Sequence, residues 1–304
     1  MDINYELYKV FYQVASSLSF SEASKKLFIS QSAVSQSVKT LERKLGQPLF
    51  IRSTKKVQLS PAGQTLLKHV EPAIHLLEKG EAQLLDTNAL GLGQLHIGAS
   101  DTICRYFLIP YLKQFHEQFP DVPIKVTNAT SIGCVDLLTQ GKADLIITNY
   151  PNSRLNDMYI QKIVASFQDV FIANPAYLDL QQEEFSLADI KSCPLLMLER
   201  KSATSEFLHN LFLQHQLELI PEVELSSNDF LMDLARIGLG IAFVPDYCLS
   251  EDDELRPLKI KETIPKRQMA AAFNPGLLLS PAAEEFLKIL PQLNPVTQQQ
   301  GSKG

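Results

Sequence analysis

Between residues 19 and 60 the chain places hydrogen-bonding and cationic side chains at spacings suited to reading a DNA duplex. Ser32, Gln36, Lys39 and Arg43 follow one another at intervals of four, three and four, one stripe of a 3.6-residue helix, with Gln31 and Ser35 beside it near the helix start. Short amides and hydroxyls come first and cations follow. Base edges in a major groove are read by amide and hydroxyl groups, whereas cations meet phosphate. Beyond Gly46, a strand over 48–52, a turn over 53–56 and a returning strand over 57–59 predict a hairpin tipped by Arg52, Lys55 and Lys56. Such a tip suits a phosphate backbone or the adjacent minor groove. A polar helix face is by itself usually a solvated surface. The succession of helix, turn, helix and basic hairpin is what favours nucleic acid.

A second set of groups falls at four expected strand-to-helix junctions: Ser100-Asp101-Thr102, Asn128-Ala129-Thr130-Ser131, Ser202-Ala203-Thr204-Ser205 and Ser226-Ser227-Asn228. Helix N-termini offer free amides and a positive dipole end, so several of them facing one cleft would hold a carboxylate or similar anion. Ser, Thr and Asn are also the ordinary capping residues of any helix, so capping alone is the competing reading. Lys201 and Arg105 are candidate cations beside two of these junctions, though a solvated surface cation is the more usual reading of each.

Catalytic and metal chemistry find little support. There is no phosphate-binding glycine loop and no nucleophile elbow. His69, His75, His96, His116, His209 and His215 are scattered, and no pair shares a helix face at metal spacing. Cys104, Cys134, Cys193 and Cys248 fit no metal pattern either. We expect no enzyme activity and no cofactor.

The elements that must position these groups are legible from periodicity. Ile3, Leu7, Val10, Phe11, Val14 and Leu18 form the apolar stripe of a first helix. Ser21 is the expected cap of a second helix, and Val34, Val38, Leu41 and Leu45 give the third helix its buried face. Pro61, at a natural first helical position, opens a long helix in which Leu67, Val70, Ile74, Leu77, Glu81 and Leu84 alternate spacings of three and four. That seam predicts a homodimer, and Pro72 within it predicts a kink. After residues 87–93 the texture changes to short apolar strands alternating with helices, the pattern of an α/β domain. Expected strands lie at 95–99, 124–128, 144–148, 169–173, 195–198, 222–226, 241–244 and 268–273, and expected helices at 106–119, 134–140, 206–216, 230–237 and 281–290.

The net charge of −6 hides an asymmetry: residues 1–65 hold nine Lys or Arg against four Asp or Glu, about +5, which leaves about −11 for the rest. A basic head on an acidic body confines phosphate binding to the head. No apolar run reaches eighteen residues, and the N-terminus has no basic-then-apolar signal pattern, so a cytoplasmic protein is expected.

Phe20-Ser21-Glu22-Ala23-Ser24, Leu27, Ser30-Gln31-Ser32-Ala33-Val34-Ser35, Leu41-Glu42-Arg43-Lys44-Leu45-Gly46, Leu49-Phe50-Ile51-Arg52 and Leu59-Ser60-Pro61-Ala62-Gly63 resemble the N-terminal signature of the LysR-type transcriptional regulators. Gln140-Gly141-Lys142-Ala143-Asp144-Leu145-Ile146-Ile147 and Gly238-Leu239-Gly240-Ile241-Ala242-Phe243-Val244-Pro245 resemble the regulatory domain of the same family. Ser32 stands where a proline is frequent and Gln36 where an arginine is frequent, so the resemblance carries over a docking mode but not an operator. It implies a winged helix-turn-helix over 1–60, a linker and dimerisation helix over 61–90, and a two-lobed regulatory domain of the periplasmic-binding-protein type over 91–304. Its lobes would be 91–165 with 267–294, and 166–266, crossing near Ser166 and Lys266, with a disordered tail over 295–304. It implies double-stranded DNA as partner, read by Ser21, Gln31, Ser32, Ser35, Gln36, Lys39, Arg43, Arg52, Lys55 and Lys56. It also implies a homodimer or a pair of dimers forming a tetramer, contact with RNA polymerase, and a small effector between the lobes. The effector would lie near Ser100, Thr102, Thr130, Ser131, Thr148, Ser202, Thr204 and Phe243. Two alternatives stand beside this reading. Peroxide-sensing members place a reactive cysteine where this chain has Ala203, and a free solute-binding protein would lack the head.

Overall fold

The computed structural model describes residues 3–52, 56–85, 92–156, 158–177, 183–250 and 254–293. Lys55, the side chains of Arg52 and Leu84, residues 87–91 of the connector and the tail over 295–304 lie outside the described residues. The chain divides into two compact units, taken here in turn.

The first unit begins with α1 (Tyr5–Ser17), α2 (Phe20–Leu27) and α3 (Gln31–Leu45). They pack into one core around Phe11, Val14, Ala23, Val34, Val38 and Leu41, all of them fully buried. Leu18 departs from the expected stripe: it ends α1 in the left-handed conformation and is exposed. The cap of α2 is Ser19, whose hydroxyl accepts from the Glu22 amide, and Ser21 lies one residue inside the helix with its carbonyl accepting from Ser24. Either serine satisfies the local preference, and the backbone leaves the helical region at Ser19. The antiparallel pair β1 (Phe50–Arg52) and β2 (Val57–Leu59) follows, then α4 (Pro61–Leu85), which runs through Pro72 as one element.

The seam of α4 is only partly open. Val70 and Ile74 bury in the core of their own head, and the Tyr12 hydroxyl shares a hydrogen bond with His75 Nε2 at 2.8 Å. Leu76 and Leu77 are exposed. A three-and-four spacing shows which residues share a face, not whose surface covers it.

In the second unit two five-stranded mixed sheets form. The elements are β3 (Leu95–Ala99), α5 (Asp101–Ile103), a π-helical turn (Cys104–Leu108), α6 (Ile109–Gln118), β4 (Ile124–Asn128), α7 (Ser131–Thr139), β5 (Leu145–Tyr150) and β6 (Ile160–Phe167). They continue with β7 (Asp169–Ala173), α8 (Leu187–Lys191), β8 (Leu195–Leu198), α9 (Ala203–Gln214), β9 (Val223–Leu225), α10 (Asn228–Arg236) and β10 (Ile241–Pro245). A short 3-10 turn, β11 (Arg256–Pro257), β12 (Arg267–Phe273) and α11 (Pro281–Ile289) complete it. One sheet has the order β4-β3-β5-β12-β6 and the other β11-β7-β10-β8-β9. The chain therefore passes between sheets twice, once between β6 and β7 and once entering β12. Parallel pairing of β3 with β4 and β5, and of β8 with β9 and β10, puts the carboxyl ends of these strands and the helix starts that follow them on one side of each sheet.

Candidate functional site

On α3 the expected division of faces is present. Val34, Val38 and Leu41 are fully buried, while Gln31, Ser32, Gln36, Lys39 and Arg43 are exposed and Ser35 is half-buried. Ser30 caps the helix, its hydroxyl accepting from the Ala33 amide at 3.2 Å and lying 2.9 Å from the Ser32 hydroxyl. The N-terminal turn thus carries a presented row of polar groups held by its cap. Glu42, on the half-buried side of the same helix, accepts from the Leu49 and Phe50 amides at 2.8 and 3.2 Å and so fixes where the hairpin leaves α3. Ser21 and Lys56 are exposed as well.

The second unit holds a cleft between its two sheets, a cavity of about 220 Å³. All four expected junctions line it: Ser100, Asp101 and Thr102; Asn128, Ala129, Thr130 and Ser131; Ser202, Ala203 and Thr204; Ser226, Ser227 and Asn228. Capping operates at each, as the Ser100, Thr130, Ser202 and Ser227 side chains accept from the amides of Ile103, Gly133, Ser205 and Phe230. The hydroxyl protons stay free to donate into the cavity. Among the described residues no Lys or Arg lines it, and the charge that does is the Asp101 carboxylate. Lys201 is exposed, and Arg105 is a mainly exposed partner of Asp229 at 3.6 Å.

Thr148 and Phe243 do not line the cavity. Thr148 is fully buried behind the wall, hydrogen-bonded to the Ser131 carbonyl, because its strand position points it into the sheet's packed face. Phe243 is enclosed by Phe171 and Phe207 in the core of the other sheet. Asn149, Leu198, Pro245 and Tyr247 take the lining places instead.

Two features of the cleft escape the sequence. The first is a set of direct bonds between its walls: Asn228 Nδ2 donates to Thr102 Oγ1 at 2.9 Å, and Tyr106 donates to Asp229 Oδ1 at 2.5 Å. Burial and the Asp229 acceptor push the Tyr106 phenol up, so it holds its donor proton. The second is Arg267, whose Nη1 donates to Asp169 Oδ2 at 2.7 Å and to Thr204 Oγ1 at 3.1 Å, with the guanidinium over the Phe167 and Phe207 rings. Asp169 and Arg267 open β7 and β12, so this buried pair sits at both crossings between the sheets. Its partners lie 98 residues apart in the chain, beyond any local signal.

The cysteines are poorly placed for redox sensing. Burial pushes Cys104 up to about 11, with Asp101 adding to it, and pushes Cys134 up to about 12. Cys193 and Cys248 are also raised by burial. A raised thiol value means less thiolate at about pH 7.5 than an ordinary cysteine carries. Iodoacetamide at that pH should modify the native thiols far more slowly than the unfolded ones. Peroxide at a few equivalents should leave DNA affinity unchanged; a peroxide-dependent change in affinity would restore the redox reading. Among the described residues no group of His, Cys, Asp and Glu could hold a metal, and no helix is long and apolar enough to cross a membrane.

Comparison with known proteins places both units. Residues 89–294 match the LysR substrate binding domain, and residues 5–64 match the bacterial regulatory helix-turn-helix protein of the lysR family. A probable RuBisCO transcriptional regulator of Synechocystis sp. is 29% identical over 293 residues, covering 92% of this chain and 84% of the relative. A full-length OxyR from Pseudomonas aeruginosa, carrying a cysteine-to-aspartate substitution, superposes with a TM-score of 0.70 at 20% identity, over 97% of this chain and 99% of that one. The regulatory domain of Synechocystis PCC6803 CcmR in complex with 2-PG superposes with a TM-score of 0.59 at 22% identity, over 64% of this chain and 94% of that one. At these identities the structural likenesses speak for the fold. A reading head with a polar, capped helix face, joined to a two-sheet unit with a lined cleft and matched over nearly its whole length by the family's two domains, makes this chain a member of the LysR family of transcriptional regulators.

Proposed function

We propose that α3 enters the major groove with Gln31, Ser32, Ser35 and Gln36 toward base edges, while Lys39, Arg43 and the hairpin cations Arg52, Lys55 and Lys56 meet phosphate. The observation that carries this is the split of α3 into a fully buried apolar face and an exposed polar one. Two copies paired through α4, where Leu76 and Leu77 are open, would present two heads to a roughly palindromic site, alone or as a pair of dimers. The cleft takes a small anionic metabolite of the cytoplasm, supported by the four helix starts that line one cavity and by the 2-PG held by the CcmR regulatory domain. Ligand binding shifts the angle between the two sheets, hence head spacing, DNA bending and contact with RNA polymerase. The domain boundaries proposed are 1–60, 61–90 and 91–304. Regulation, not catalysis, is the activity.

On a site selected from randomised duplex DNA, Gln31→Ala should bind more weakly by about 1 to 3 kcal/mol and relax preference at one base pair. Lys39→Ala and Lys56→Ala should weaken all sequences alike and lower the slope of log affinity against log salt by about 0.9 each. Fluorescence anisotropy on the selected and a scrambled duplex separates the two behaviours. Equal losses on both duplexes for all three variants would remove the division into base and phosphate readers.

A further inference from the structure

Two tyrosines cross between the sheets in opposite directions. Tyr106 stands on the π-helical turn Cys104–Leu108, flanked by Ile103 and Leu108, which bury in the first sheet's core. Its own ring packs against the core of the second sheet, the one that contains Leu231, Ala235 and Cys248. Tyr247, on the 3-10 turn Asp246–Cys248 after β10, answers from the other side: it packs against the first sheet's core and meets Phe167 edge-on, centroids 5.3 Å apart at 83°. The Tyr106 hydroxyl donates to Asp229 Oδ1 at 2.5 Å over a separation of 123 residues, and Arg105 Nε lies 3.6 Å from the same oxygen. A hydroxyl on a carboxylate is the short, strong kind of hydrogen bond. A π turn closes its bonds at five residues instead of four, which re-aims the side chains it carries, and such turns within helices are frequent at functional sites. Thr102 and Asn228, which form the other bond between the walls, line the cavity, whereas Tyr106 and Asp229 do not. An effector in the cavity meets the first pair and not the second.

We propose that Tyr106 is a latch: through its bond to Asp229 and its seat on the second sheet's core it holds the two walls at their present spacing with no ligand bound, so that an effector meets a cleft already formed. Tyr106 acts through the walls and not on the ligand, which makes it a positioning residue. The two strand crossings, from β6 to β7 and into β12, are covalent and persist through any rotation of one sheet against the other. The tyrosine contacts are the part that such a rotation breaks. Without the latch, closed walls compete with open ones, and the apparent affinity of any effector falls by the fraction that is closed. Closure is here a property of the ligand-free protein, so the latch does not depend on the anion reading of the cleft.

Cys248 supplies the readout. It is 4% exposed within the core that the Tyr106 ring covers, and parting the walls lifts the ring and uncovers it. Cys134, fully buried in a separate cluster with Val135 and Leu138, is the control. The full-length protein, free of ligand, is labelled with N-ethylmaleimide and the rate at each cysteine is followed by peptide mass spectrometry. Tyr106→Phe keeps the ring and removes the donor; it should speed labelling of Cys248 about tenfold while Cys134 keeps its rate. Asp229→Ala should do the same, whereas Asp229→Asn retains an acceptor and should stay within about threefold of the unsubstituted protein. An unchanged Cys248 rate in both Tyr106→Phe and Asp229→Ala would overturn the latch and leave the Asn228–Thr102 bond and packing to hold the walls. A parallel rise at Cys134 with a lowered melting temperature would overturn it as well, because the bond would then support the fold and not the spacing. No ligand is added, so failure of the anion reading leaves these outcomes as they are.

Discussion

Arg267→Met is expected to destabilise the two-sheet unit by about 3 to 5 kcal/mol near neutral pH, the loss that follows when one partner of a buried ion pair is removed. Asp169 is fully buried; its Oδ1 lacks a partner among the described residues, and Arg267 donates to its Oδ2. Burial pushes the Asp169 carboxyl up and Arg267 pulls it back. Without the guanidinium it rises further above its unfolded value. A group whose folded value is raised contributes stability at low pH and loses it as pH rises, so the deficit of the variant should be largest near pH 8 and shrink toward pH 5. The chain has no tryptophan, so urea unfolding is followed by far-UV circular dichroism. Arg267→Met with Asp169→Leu should recover most of the loss, because a packed apolar pair carries no charge to desolvate. A single variant with a small, pH-independent loss would mean that Asp169 has another route to neutrality. Since Arg267 also holds the Thr204 hydroxyl at the cleft, the destabilised variant should bind effector more weakly than its stability alone predicts.

What could be read from the sequence is what local periodicity encodes. Val34, Val38 and Leu41 stand at helical spacing because one face of α3 is core, and all three are fully buried. The runs at 95–99, 169–173 and 195–198 are strands as expected, since sheets covered by helices need largely apolar stretches, and 124–128 is the expected strand at a sheet edge. β6 escaped because a register shift opposite Met269 and Ala270 breaks its two-residue alternation. The helical stretch after β3 starts at Asp101, earlier than the expected 106, because Ser100 caps it. The cleft was legible as four polar junctions and not as a site. Which hydroxyls face the cavity depends on strand phase, and this sets Asn149 on the wall and Thr148 behind it. Arg267, Asn149 and Asn228 carry meaning only through neighbours far away in the chain. The α4 seam shows the same limit, since Val70 and Ile74 are taken up by the head's own core.

Gly63→Ala should collapse the head's packing and cut DNA affinity by more than about tenfold while the two-sheet unit keeps its stability. Two effects oppose each other at this position. In a helix interior alanine is favoured over glycine by about 1 kcal/mol. Against that, a Cβ on Gly63 would stand 2.1 Å from the Leu49 carbonyl oxygen and 3.0 Å from Leu59 Cδ2. That oxygen is backbone and is fixed on both sides. It accepts from the Ser60 amide at 2.9 Å, while Ser60 donates its hydroxyl to the Pro48 carbonyl and caps the Gly63 amide at 3.0 Å. Relief requires the first turn of α4 to separate from the strand that leads into β1, an overpacking cost of about 3 kcal/mol or more, so the steric term wins. Gly80, in the same helix, meets nothing within 4 Å at its Cβ position, and Gly80→Ala should be neutral or stabilising by up to about 1 kcal/mol with DNA binding intact. Anisotropy with a selected duplex and thermal unfolding of both variants make the comparison. If Gly63→Ala bound DNA as Gly80→Ala does, the joint of β1, Ser60 and α4 would be soft, and the angle of the hairpin would have to be set elsewhere in the head.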